Sequence, residues 1–257
     1  KPLAGETPEM IREAGRNKVA PMVRSGADGA GLALYHFAWA SYRQALQEQA
    51  AAWRAGFTNV PVILNTPLAF AQLAAHLDPQ LDAAQYLIGG IYNSYEMYDD
   101  AIDRFGDVGF NDAFYEYAVA DRAGAYVDRG DTAAAKSLLS DYIAKDAYAV
   151  STALFLAGLW SDDGQYGEAE KTLTDAIARI EALPVAEQGT DLWRYYFSRG
   201  VLHHDMDNWE AAEADLLRSM ELSGEEPYVL NYLGYSWVER GEHLDEAFAM
   251  LQKALDA

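Results

Sequence analysis

Apolar residues recur every three or four positions along most of the chain, the period of an amphipathic helix. In "AAQYLIGGIYNSY" Leu87, Ile91 and Tyr95 are spaced by four. In "AEADLLRSMEL" Ala214, Leu217 and Met220, or Leu216 and Met220, trace similar stripes. Polar turns interrupt them: "DRGD", "DDGQ" and "ERGE" each hold a glycine that can take the left-handed conformation ending a helix. No run of alternating β-branched residues appears, so the pattern predicts helices joined by turns and no sheet. "GLALYHFAWASYRQALQEQAAAWRAG" (31–56) predicts one long helix, rich in alanine and aromatics. The proline-bounded connector "FTNVPVILNTP" follows it, and "GADGAG" (26–31), with no strand before it, predicts a loop.

The stripes repeat. Ala101, Ala135 and Ala169 are 34 residues apart. Twelve residues before each stands a small residue (Gly89, Ala123, Ala157), and nine before each an aromatic (Tyr92, Tyr126, Trp160). Four residues after each comes Phe105, Leu139 or Leu173. Gly200 and Gly234 continue the small position at the same 34-residue spacing, and Ala212 and Ala247 continue the alanines after 43 and 35 residues. The extra residues fall in "ALPVAEQGTD" and in the turn "ERGEHLDEA", where an insertion leaves the helical faces in phase. A small residue lets a neighbouring helix approach, and the aromatic one turn later fills the gap beside it.

Period 34, the small-x-x-aromatic pattern and the alanine opening the second helix resemble the tetratricopeptide repeat. "YLGYSW" (232–237) and "LIGGIY" (87–92) match the family's first-helix signature. The resemblance implies an all-α, right-handed superhelical solenoid of antiparallel helix pairs, with five repeats over 82–257. "LAFAQLAAHLDPQL" (68–81) is similar to the second helix of a sixth, with Ala74 and Pro79 at the late alanine and closing proline. Residues 1–81 then form an atypical N-terminal segment: a leader, then an expanded or degenerate repeat whose first helix is 31–56. A distinct N-terminal helical subdomain is the alternative. Two departures stand out: His203 occupies an aromatic position, and "FGDVGFND" shortens the second helix after Phe105. "NYLGYSWVERGEHLDEA" also resembles longer alphaproteobacterial members of the family, which implies an array continuing past residue 257. "LQKALDA" supplies no polar cap for the last hairpin. Relatives of this style point to the cell envelope, with the cytoplasm as the alternative.

Composition narrows the partners. The chain of 257 residues is 51% hydrophobic, enough to build a core, yet no stretch approaches the ~18 apolar residues of a membrane span. With no cysteine, disulfides and thiolate metal sites are excluded. A net charge of −21 disfavours nucleic acid and anionic membrane surfaces, and if charge selects a partner, that partner is basic.

Candidate chemistry is sparse. The adjacent pair His203 and His204 in "HHDMD" points about 100° apart on a helix, so the two cannot readily clasp one ion; His203 falls at the buried position. "DDAIDRFGD" and "SDDGQ" lack the calcium-loop frame, and their acids suit helix starts and turns. No Gly-x-Ser-x-Gly elbow or phosphate-cradling loop is present. The expected role is noncatalytic, with no cofactor and no metal.

In the family, first helices line the concave surface, and carrying over the inward positions yields a candidate groove. One position gives Ser94, Asp128, Asp162, Asp205 and Glu239, four of the five acidic, and the one before it includes Asn93 and His204. Nearer the helix starts lie Tyr86, Phe197 and Asn231, preceded by Tyr117, Arg194 and Tyr228. An acidic ridge beside aromatics suits a basic protein or peptide with apolar anchors. Asn93 and Arg194 alone could serve the family's carboxylate clamp, which disfavours that mode. Self-association through the terminal repeats, as an oligomerisation module of a larger assembly, is the alternative.

Overall fold

The computed structural model describes residues 25–58, 61–110, 112–145, 151–184 and 191–256. The expected leader before Ser25, Asn59 and Val60 of the connector, and most of "ALPVAEQGTD" lie outside them. Twelve helices make up the regular structure of the described residues, and no strand is present among them. They are α1 (Gly26–Arg54), α2 (Asn65–Leu77), α3 (Asp82–Ser94), α4 (Tyr98–Gly106), α5 (Tyr115–Asp128) and α6 (Thr132–Lys145). Then come α7 (Ser151–Asp162), α8 (Tyr166–Glu181), α9 (Leu192–Asp205), α10 (Trp209–Ser223), α11 (Pro227–Arg240) and α12 (Leu244–Leu255). By contact the chain divides into two compact units, one ending at Leu138 and the other beginning at Leu139, within α6.

In the first unit α1 forms a hairpin with α2, and α3 with α4. The expected long helix is present, but it begins five residues early, at Gly26. "GADGAG" is therefore its first turns and not a loop. Ser25 caps it: its Oγ accepts from the Asp28 amide at 3.2 Å and donates to Asp28 Oδ1 at 2.8 Å. Gly31 is buried against α2, where a Cβ would stand 3.1 Å from the Ala74 carbonyl oxygen and 3.2 Å from Asp78 Cβ. Ser25→Ala is expected to lower stability by about 1 kcal/mol. A thermal melt followed by circular dichroism checks this, and an unchanged midpoint would remove the cap from the account.

Two apolar clusters hold this unit. Ala38, Leu64, Ala71, Leu87, Ile88 and Ile91 form one, with Tyr35, Tyr42 and Phe70 packed against it. Ala101, Ile102, Phe105, Val108, Ala118 and Ala125 form the other. Gly89 is where α3 meets α4, and a Cβ there would lie 2.7 Å from the Phe105 ring. The short second helix expected after Phe105 is α4, nine residues long, with Val108 buried just beyond its end.

The second unit repeats the design. α7 pairs with α8, α9 with α10 and α11 with α12; α8 packs on α9, and α10 on α11. A Cβ on Gly200 would meet Leu216 Cγ at 2.9 Å, and one on Gly234 would meet Leu251 Cγ at 3.1 Å. The repeated alanines Ala101, Ala135, Ala169, Ala212 and Ala247 are all buried, as a close helix crossing requires. The turn glycines Gly130, Gly164 and Gly241 all have positive φ. The extra residue of the last turn is accommodated by a second left-handed residue, His243 at φ +46°, whose ring lies 4.6 Å from that of Trp237. Trp237 itself is buried and donates its indole N–H to Glu213 at 2.6 Å.

Candidate functional site

First helices lie beside one another within each unit: α1 touches α3, α3 touches α5, and α7 touches α9. The candidate residues lie on these helices and on α11.

In the first unit these are Tyr86, Asn93, Tyr117 and Asp128. Tyr86 donates its hydroxyl to Asp121 Oδ2 at 2.7 Å and stacks on Phe114 at 5.3 Å. Burial, then the Asp121 carboxylate, pushes its hydroxyl well above the ordinary tyrosine range. Burial, foremost, raises the hydroxyl of Tyr42 on α1 above its ordinary range, with Ser94 opposing and Asp121 adding to the shift. Asn93 is partly buried, and its Oδ1 has no hydrogen-bond partner. Tyr117 and Asp128 are exposed. Asp121 did not figure among the inward positions, although one turn of helix separates it from Tyr117 and makes it a neighbour on that face.

In the second unit a concavity of about 230 Å³ opens on the first helices. Leu154, Ala157 and Gly158 of α7 form one wall, Val201 and Asp205 of α9 the base, and Tyr228 and Tyr232 of α11 the other wall. Phe197 is 8% exposed and is its floor, with its ring 4.9 Å from Tyr228 and 5.3 Å from Tyr232. The structure thus brings Phe197, Asp205 and Tyr228 together and adds Tyr232. That residue was recognisable from its position four after Tyr228, which puts both on one face. His204 Nδ1 lies 2.9 Å from the Tyr232 hydroxyl, and its ring packs edge-on against Trp209 at 5.6 Å. Burial first, then Asp205, Tyr228 and Glu239, raises the Tyr232 hydroxyl above its ordinary range.

Asp162, Asn231 and Glu239 are exposed on the same set of helices. Arg194 is also exposed but occupied: it lies over Trp193 at 4.9 Å and donates to Asp191 at 3.2 Å. His203 turns the other way from His204, inward, with Nε2 3.7 Å from Asp215. Among the described residues no group of three or more His, Asp or Glu could hold a metal ion, and no helix is long and apolar enough to cross a membrane.

No family model matches the chain, and no curated protein does either. Solved structures do. Yeast Tom70 is similar at 17% identity over 75% of this chain and 39% of its own, with a TM-score of 0.61. BtubC from P. vanneervenii is similar at 16% identity over 74% of this chain and 85% of its own, with a TM-score of 0.57. MamA is similar at 18% identity over 69% of this chain and 92% of its own, with a TM-score of 0.51. Tom70 and MamA are tetratricopeptide-repeat proteins. With its paired helices, buried small residues and recurrent alanines, the chain shares the all-α, paired-helix fold of those proteins.

Proposed function

We propose that the chain is a noncatalytic protein-interaction scaffold that binds a basic protein or peptide along the acidic faces of its first helices. One observation carries the reading. In the second unit the exposed carboxylates of Asp162, Asp205 and Glu239 take part in no hydrogen bond or ion pair among the described residues, and exposed Tyr228 stands on the same helix set. Carboxylates left unengaged beside an exposed aromatic suit a cationic partner with apolar anchors, and their field supplies orientation and association rate more than affinity. Tyr117 and Asp128 offer the same pairing in the first unit. In this reading residues 82–257 are five repeats and 1–81 an atypical segment ahead of them.

The test is binding of a set of twelve-residue peptides rich in arginine, lysine and leucine. Affinity should fall as salt rises. The combined charge reversals Asp128→Lys, Asp162→Lys and Asp205→Lys should weaken it roughly tenfold or more, since exposed ion pairs contribute up to ~1 kcal/mol each. Binding indifferent to salt and to all three reversals would sink the electrostatic reading.

A second reading, self-association, is favoured by exposed apolar residues on the terminal helices. Leu244, Phe248 and Leu255 are open on α12, and Trp53 and Phe57 at the end of α1. Mass rising with concentration, without peptide binding, would support it instead.

A further inference from the structure

Four of the described arginines share one arrangement. Arg199 lies 5.4 Å from the Tyr196 ring centre and donates twice to Asp215, at 2.7 and 2.8 Å. Arg240 lies 4.7 Å over Trp209 and pairs with Glu242 at 3.3 Å. Arg129 sits over Tyr126 at 5.1 Å with Asp99 and Asp131, and Arg194 over Trp193 with Asp191. Each guanidinium is held by an aromatic face and a carboxylate together. The planar, weakly hydrated guanidinium suits this, because one group can stack on a ring and donate in its own plane to two oxygens.

The concavity of the second unit has the same two components without the arginine. Tyr228 and Tyr232 face it across Phe197, and Asp205 lines it. The hydroxyl of Tyr232 is tethered to His204, which holds the ring in place. Neither the Asp205 nor the Glu239 carboxylate takes part in a hydrogen bond or ion pair among the described residues. At about 230 Å³ the space is smaller than the ~300–1,000 Å³ pockets of drug-sized ligands and is suited to one long side chain. An apolar side chain alone would fill the aromatic part but strip water from Asp205 without replacing its hydrogen bonds.

We propose that this concavity is the seat for a single arginine side chain of the bound peptide, its guanidinium against the tyrosines and paired with Asp205. The stem lies along Leu154 and Val201. The proposal rests on the peptide-binding reading and assigns the residue that the second unit selects.

The experiment uses the full chain and fluorescently labelled eight-residue Ala/Leu peptides carrying one arginine, one lysine or one citrulline, the neutral isostere of arginine. Anisotropy should show the arginine peptide binding roughly tenfold more tightly than the citrulline peptide, as expected for a hydrogen bond to a charged group. Asp205→Asn should abolish that difference and Tyr228→Ala reduce it. Asp175→Asn, which removes a charge from exposed α8 elsewhere in the unit, should leave it intact. Equal binding of arginine and citrulline peptides would overturn the seat while leaving the groove reading standing. Lysine binding as tightly as arginine would overturn the guanidinium assignment. If no peptide bound, the groove reading itself would fall, and the seat with it.

Discussion

Asp215→Ala is expected to destabilise the second unit by about 3–5 kcal/mol, because it strands a partly buried arginine. Asp215 is 6% exposed and accepts two hydrogen bonds from Arg199. That bidentate contact is the foremost reason the guanidinium holds its proton even more firmly than an ordinary arginine. With the carboxylate gone, Arg199 keeps only the Thr174 hydroxyl at 3.1 Å and the Tyr196 ring. His203, with Nε2 3.7 Å from Asp215, loses its neighbour as well. Urea unfolding reads the loss as a lower midpoint at constant slope. Removing both charges at once, with Arg199→Met and Asp215→Leu, should recover most of the stability, since the apolar pair avoids the desolvation. A loss below about 1 kcal/mol for Asp215→Ala would mean that water reaches Arg199 and the pair is not structural.

The second large effect concerns the contact between Gly200 and Leu216. Leu216 is fully buried, and Leu216→Ala is expected to cost about 3 kcal/mol through lost burial and the cavity left behind. Gly200→Ala should be unfavourable in the parent chain. Its methyl would meet Leu216 Cγ at 2.9 Å and the Ala212 carbonyl oxygen at 3.2 Å, outweighing the ~1 kcal/mol helix preference of alanine. In the Leu216→Ala background the first clash disappears and only the Ala212 carbonyl contact remains, so the same change should cost less than in the parent chain. A double-mutant cycle measures the coupling, expected at about 1 kcal/mol or more. Simple additivity would show that Gly200 is small for some other reason.

Much of this contact was legible before any coordinates. Gly89, Gly200 and Gly234 recur in register with the alanines, and the structure places each where two helices cross closely. Such a requirement is local: it depends on the azimuth of a residue around its own helix and on the size of its side chain, and both can be read along the chain. The opposed directions of His203 and His204 follow in the same way from the 100° between adjacent positions.

Other features needed the neighbour. The start of α1 was invisible because glycines carry no apolar period; Ser25 and the approach of α2 to Gly31 account for it. Phe197 stands at a position that the resemblance implies faces inward, yet Tyr228 and Tyr232, one repeat later in the chain, cover it. Arg194, expected at an inward position, is held by Trp193 and Asp191.

The sequence by itself thus determined the helices, their pairing and the spacing of acids and aromatics along them, because each depends on a period of a few residues or on the repeat length. Only the tertiary structure decided which of those side chains are covered, which are already engaged, and that Tyr232, Tyr228, Phe197 and Asp205 line one small open concavity. Those outcomes depend on side chains brought within a few ångströms from separate helices, and no periodicity along one helix encodes what a neighbouring helix lays over it.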